Sequence, residues 1–222
     1  NGSFSEQGAE EVTNGSFTNG STDWVLGTGW SIGTGKALCD GTQTSSSDLT
    51  QALSTPSGKS YKITYTISEY TSGSIFVRLN SGNATASQNT VGTFTEYISG
   101  EGGTQIILRA DNSFIGSITN ISVKEVGQNW VFTNVGGSNG WRIANERAIC
   151  DTDGVNNGRN LNSSTTLVNG KTYKLTLDIL QSVDGMNVLV GSTILPNELP
   201  TGTNLGYEYY IDASQHSGGL FS

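Results

Sequence analysis

The chain has 222 residues, of which 34% are hydrophobic and 14% charged, with 30 Gly and three Pro. Its 19 acidic and 11 basic residues leave a net charge of −8, and the basic ones are scattered singly, which argues against a nucleic-acid partner. No run of 18 apolar residues occurs, so the sequence offers no membrane-spanning helix.

In chain order, residues 1–12 read as a connector, and their Asn1-Gly-Ser-Phe4 reappears as Asn14-Gly-Ser-Phe17. The start has neither a basic segment nor an apolar core, so it is not a signal peptide, and the chain is expected to be a fragment, a processed form or part of something longer. From residue 13 the apolar residues fall in short alternating runs separated by Gly, Asn and Ser, which is the pattern of an all-β protein. Phe17, Trp24 and Trp30 open this region, and the strands of Ile32 and of Ala37–Cys39 follow, with Gly33-Thr-Gly35 turning between them. Leu49 and Leu53 lead to the turn at Pro56-Ser-Gly58. Tyr61, Ile63, Tyr65 and Ile67 then alternate with Lys62, Thr64 and Thr66, which predicts a strand with the first set inward. Further strands are predicted at 74–80, 93–99, 104–110 and 117–125, with Ile75, Val77 and Leu79 facing away from Phe76 and Arg78.

The pattern then repeats. Trp30-Ser-Ile-Gly-Thr-Gly-Lys-Ala-Leu-Cys-Asp40 returns 111 residues later as Trp141-Arg-Ile-Ala-Asn-Glu-Arg-Ala-Ile-Cys-Asp151. Gly58-Lys-Ser-Tyr-Lys-Ile-Thr64 returns 112 residues later as Gly170-Lys-Thr-Tyr-Lys-Leu-Thr176. Two matched segments at nearly one offset predict two tandem jelly-roll β-sandwich domains, residues 13–126 and 127–222. Copy two opens with Trp130 and Phe132, places Tyr173, Leu175, Leu177 and Ile179 inward, and matches Met186, Val188 and Val190 to Ile75, Val77 and Leu79. Nothing in it answers the closing segment Ile115–Glu125, so an unpaired sheet edge is expected there unless further chain or another subunit supplies the strand.

Cys39 and Cys150 occupy equivalent positions, and equivalent points of separate domains rarely come within the roughly 7 Å that a disulfide allows. Both are expected to be buried thiols, and the lack of a disulfide suits assembly in a reducing cytoplasm. Trp30 and Trp141 recur with the strand pattern and are expected in the core, while Asp40 and Asp151 fit turn caps. His216, in a loop, makes no triad with Ser214, the acidic residues form no close pair, and Gly27-Thr-Gly29 lacks the helix and Lys of a phosphate loop. The expectation is a non-enzyme with no catalytic residues and no cofactor.

Asn14-Gly-Ser-Phe17, Gly29-Trp-Ser-Ile32, Gly58-Lys-Ser-Tyr-Lys-Ile-Thr-Tyr65 and Phe114-Ile-Gly-Ser-Ile-Thr-Asn-Ile-Ser-Val-Lys-Glu-Val126 together resemble carbohydrate-binding modules of the galactose-binding-like superfamily, near families 4 and 9. Tandem copies with this wording look like those of phage tail-fibre, head-fibre and other virion-surface proteins. The resemblance implies a virion-surface protein, assembled in the host cytoplasm and displayed outside it, that attaches to host-surface glycans and contacts other virion proteins. A homo-oligomer such as a trimer goes with that setting. Alternatives are the carbohydrate-binding appendage of a secreted glycoside hydrolase and a purely structural spike or capsid component. The calcium site common in this class is not expected, because Ser16 and Thr119 stand where it has Asp. Sugar recognition needs aromatic faces beside hydrogen-bonding groups, and the candidates are Trp24, Phe76, Arg78 and Tyr97, with Trp130, Tyr207, Tyr209 and Tyr210 in copy two.

Overall fold

A computed structural model describes residues 3–80, 84–100, 102–133, 140–151, 160–180, 182, 187–190, 193–194, 199–213 and 218–221. Among them every regular element is a strand, as the alternating runs require. The chain divides into two compact units, Ser3–Gln128 with Asn134–Asn157, and Asn129–Thr133 with Gly158–Ser222.

The first unit holds β1 (Gln7–Glu10), β2 (Val25–Leu26), β3 (Trp30–Gly33), β4 (Lys36–Cys39), β5 (Ser47–Thr55), β6 (Ser60–Ser72), β7 (Ile75–Leu79), β8 (Gly92–Ser99), β9 (Gly103–Ala110) and β10 (Ile115–Val126). They form two antiparallel sheets, β3-β4-β10-β6-β8 with β1 beside β10, and β2-β5-β9-β7. Residues 84–88 continue the second sheet past β7, through bridges Ile75–Gln88 and Arg78–Ala84 and the bond from Thr85 N–H to Val77 O. The result is a β-sandwich of the jelly-roll kind.

The alternation read from β6 sets the core. Tyr61, Ile63, Tyr65 and Ile67 are all buried, and from the facing sheet come Ile75, Val77, Leu79, Ile106 and Leu108. Tyr65 meets Phe94 with ring centroids 5.6 Å apart, and burial pushes its phenol up to about 12. Turn chemistry closes the ends. Gly73, at φ +76°, joins β6 to β7, and a Cβ there would fall onto the Phe114 backbone. Asp40 caps the turn after β4, accepting from both the N–H and the hydroxyl of Thr42, which holds its carboxyl below the ordinary value.

A hairpin of β12 (Gly140–Ala144) and β13 (Arg147–Asp151), carrying the second Trp-to-Asp motif, also belongs to the first unit. Ile143 is fully buried, and its N–H donates to Ser60 Oγ at 2.9 Å. Strands β12 and β13 thus group with the first sandwich although the repeat assigns them to the second copy.

The second unit contains β11 (Trp130–Thr133), β14 (Asn160–Leu167), β15 (Thr172–Ile179), β16 (Leu189–Val190), β17 (Thr193–Ile194), β18 (Asn204–Asp212) and β19 (Gly218–Phe221). One sheet runs β11-β14-β19-β16-β17, and β15 pairs with β18 in a separate two-stranded ladder. Leu167, Ile179, Val188, Leu199, Tyr209 and Ile211 make its core.

Several expectations are corrected. Cys39 is buried, with its thiol pushed up by desolvation, but Cys150 is exposed. The reason is coverage: β4 lies between β3 and β10, whereas β13 pairs, among the described residues, with β12 alone. Trp141 is half-buried rather than core for the same reason, while Trp30 is buried. Strands β5 and β14 stand where no strand was read, because polar residues dominate both segments, Ser, Thr, Asp and Gln in β5 and Asn, Ser and Thr in β14. Met186 and His216 lie outside the described residues.

Candidate functional site

The outward side of the β2-β5-β9-β7 sheet presents the most developed constellation. Strand register sets its two rows. Asp48, Arg109 and Phe76 stand side by side across β5, β9 and β7. Val25, Thr50, Ile107 and Arg78 make the next row. Parity explains the facing: Ile75, Val77 and Leu79 go inward, which sends Phe76 and Arg78 outward.

Arg109 grips Asp48 with a two-pronged pair, Nε to Oδ1 and Nη2 to Oδ2, each 2.7 Å. This raises the guanidinium's affinity for its proton and fixes its plane next to Phe76. Two of the five guanidinium N–H groups are thereby used, and no described residue takes the other three. Arg78 has no carboxylate partner among the described residues, and its Nε is buried without an acceptor there. Ile107, outward but only 4% exposed, sits between Arg78 and Thr50 in the same row. The face thus combines a half-buried aromatic ring, two guanidinium groups and a hydroxyl.

Beside the Asp48 end opens a cleft of about 230 Å³, lined by Gly27, Thr28, Gln43, Ser47, Asp48 and the loop 44–46. Its wall is polar because the loop is Thr-Ser-Ser. Gln43, 3% exposed, donates through Nε2 to Asp111 O and Phe114 O, which anchors the loop. Ser47 donates to Thr28 O at 2.7 Å.

The other sequence candidates do not join this face. Trp24 is buried at 6% exposure, its ring tilted against Phe17 with centroids 5.3 Å apart and its indole N–H donating to Asn14 O, so it is a core residue and leaves the candidate set. Tyr97 stands on β8 opposite Lys62, on the outward side of the other sheet, among Thr64, Thr66, Thr93 and Thr95. In the second unit, Trp130 is half-buried on β11 opposite Ser163. Tyr209 is buried, Tyr207 packs against the same core, and both leave the set of exposed aromatics. Tyr210 is 63% exposed; its hydroxyl donates to Glu208, which also takes the Lys174 ammonium. Asp48, Arg109 and Gln43 were not read as site residues. A signal existed for Arg109, since it interrupts Ile106-Ile-Leu-Arg-Ala110 at outward parity, across from Phe76.

The junction of the opening loop with β10 does not fit a calcium ion. The Asn14 amide donates to Gly20 O and Thr22 O and accepts from Asn19 N–H, filling the loop with N–H donors. The nearby Glu10 carboxylate is already engaged by the N–H groups of Val12 and Val123 and by Ser122 Oγ. Among the described residues no cluster of three His, Cys, Asp or Glu side chains could hold a metal.

No family model matches the sequence, and no curated protein matches it. Among solved structures, one described as TmCBM61 in complex with beta-1,4-galactotriose is similar at a TM-score of 0.37 and 16% identity, over 52% of this chain and 97% of that one. The galactotriose is that protein's ligand.

Proposed function

We propose that this chain is a non-catalytic glycan-binding protein, and that the outward face of the β2-β5-β9-β7 sheet is its binding surface. One observation carries the reading: Phe76 stands next to Arg109, whose plane Asp48 fixes, and Arg78 stands one row away with no carboxylate partner among the described residues. A sugar ring has an apolar face that lies on an aromatic side chain and a rim of hydroxyls that takes N–H donors. A guanidinium with no carboxylate partner among the described residues adds a preference for an acidic sugar, because two parallel N–H groups match a carboxylate. The hydroxyl-lined cleft beside Asp48 extends the surface for a second residue of the glycan.

The setting we propose is the surface of a phage particle, as a fibre or decoration protein that holds host-surface glycans and assembles as a homo-oligomer with other virion proteins. Low charge density and faces rich in Ser, Thr and Asn suit reversible polar contact, and repeated subunits gain avidity through effective concentration. The test is a titration of the whole chain with uronate-containing and neutral oligosaccharides of equal length. Tighter binding of the acidic series, reduced at least tenfold in Arg78→Gln, supports the reading. Equal binding of both series removes the acidic preference, and no binding of either removes this face as a glycan site.

A further inference from the structure

The loop from β4 to β5 carries a buried oxygen without a hydrogen-bond partner. Gln43 is 3% exposed, and its Nε2 donates to Asp111 O at 3.1 Å and to Phe114 O at 2.8 Å. Two carbonyl acceptors use both amide N–H groups, and they fix which end of the amide is oxygen, since the flipped amide would set oxygen against oxygen. Oε1 is the remaining end, and among the described residues no donor reaches it. A buried acceptor left alone is unfavourable by the desolvation of that group, so a partner is called for.

The neighbours of Oε1 are further oxygens. Gly29 stands at φ +83°, and a Cβ there would lie 2.6 Å from Gln43 Oε1, 3.2 Å from Asp40 Oδ1 and 3.4 Å from Thr42 Oγ1. Three side chains thus bring oxygen to one point beside the Gly29 Cα, and only glycine keeps that point clear. The Thr42 hydroxyl donates to Asp40 Oδ1 at 2.7 Å and the Thr42 N–H donates to the same oxygen at 3.0 Å. The lone pairs of the hydroxyl and the second carboxylate oxygen are left over. Asp40 has no Lys or Arg partner among the described residues. Asp40 and Thr42 are exposed while Gln43 is buried, so the cluster has a floor and an open side.

We propose that Asp40, Thr42 and Gln43 form a binding site for one hard cation of the calcium kind. The Gln43 amide oxygen is its buried ligand, the Asp40 carboxylate its charged one and the Thr42 hydroxyl its third. Calcium takes carboxylate and amide oxygens in irregular geometry and completes its shell with water, whereas magnesium demands a near-ideal octahedron. A single carboxylate sets a weak affinity, roughly 10⁻⁴ to 10⁻³ M as in extracellular modules. The cluster follows the Cys39 end of β4 and shares no residue with the opening-loop junction that does not fit calcium. An ion here ties the start of the β4–β5 loop in place, and the same loop walls the cleft lined by Gln43 and residues 44–48. The site does not depend on glycan binding, and its test reads the ion alone.

The test titrates the chelator-treated 222-residue chain with terbium, a stand-in for calcium, and excites it through indole, because Trp30 adjoins Gly29. Calcium is then added in competition up to about ten times the expected dissociation constant. The account expects one ion per chain and terbium emission that calcium displaces. It expects affinity to fall roughly tenfold or more in Asp40→Asn and also in Thr42→Val, since calcium affinity follows ligand charge and number. Asp23→Asn, which alters an exposed carboxylate of the opening loop bonded to Thr13, should bind as the parent does. Circular dichroism checks that each variant is folded. Three results would overturn the proposal. Absence of ion binding assigns the Gln43 oxygen to a buried water. Binding that both Asp40→Asn and Thr42→Val leave unchanged puts the ion elsewhere. Uptake of several ions of equal affinity marks the general attraction of a chain of net charge −8.

Discussion

Gly116 of β10 stands opposite Cys39 of β4, and this pairing joins the Trp30–Cys39 hairpin to the centre of its sheet. Because β10 covers that edge, the Cys39 thiol is fully buried, while Cys150, at the same place in the repeated motif, is exposed.

Thiol chemistry checks this difference directly. Under native conditions a disulfide-exchange reagent should modify Cys150 quickly and Cys39 only on unfolding. Mass spectrometry of the labelled chain, before and after denaturant, should show one adduct and then two. Two rapid adducts on the folded protein would contradict the pairing of β4 with β10.

A backbone prediction follows from Gly73. A Cβ at this φ of +76° would both strain the turn and collide with the Phe114 backbone, which a side-chain movement cannot relieve. Gly73→Ala should cost about 3 kcal/mol or more of unfolding free energy. Gly202→Ala, also at positive φ but with nothing near, should cost about 1 kcal/mol. Urea titrations of both variants make the comparison.

Acid should weaken the first unit partly through Glu69. Its carboxylate accepts the Lys36 ammonium at 2.7 Å and the Ser117 hydroxyl at 2.6 Å, and these bonds hold it below its ordinary value of 4.5. A lowered folded-state value stabilises the fold above the unfolded value, and that stability is lost as pH falls through the folded one. The urea midpoint of the parent chain should therefore drop more between neutral and acidic pH than that of Glu69→Gln. Parallel pH profiles would show that the pair is screened by solvent, as exposed pairs often are.

The Asp48–Arg109 pair separates stability from recognition. Both side chains are about 30% exposed, 31% for Arg109 and 30% for Asp48, so Asp48→Ala should cost only about 1 kcal/mol. Releasing the guanidinium plane beside Phe76 should nevertheless weaken glycan affinity severalfold. Calorimetry and a melting curve on the same variant distinguish the two effects.

Much of the sandwich was legible because burial of one face imposes period two. Tyr61 to Ile67 and Ile75 to Leu79 face as their alternation requires, and the all-β class follows from such runs. β5 was not legible, since Ser47, Gln51 and Thr55 are buried polar residues that satisfy themselves by long-range bonds, such as Gln51 to Thr13. No local pattern announces such partners. Phe76 and Arg78 were legible by parity, but their neighbour Arg109 lies on a strand over 30 residues away, and only register brings them together. Trp24 misled because an aromatic in a Gly- and Ser-rich stretch reads as exposed, while its indole N–H has a backbone acceptor in Asn14 that allows burial.

The most direct measurement is a glycan array probed with the intact chain and with Phe76→Ala and Arg78→Ala, using Tyr97→Ala on the opposite sheet as control. The account predicts binding to a set of acidic glycans that is lost in the first two variants and kept in the third, with all four proteins equally folded. Binding that survives Phe76→Ala and Arg78→Ala, or an array on which the folded chain binds nothing, would contradict it.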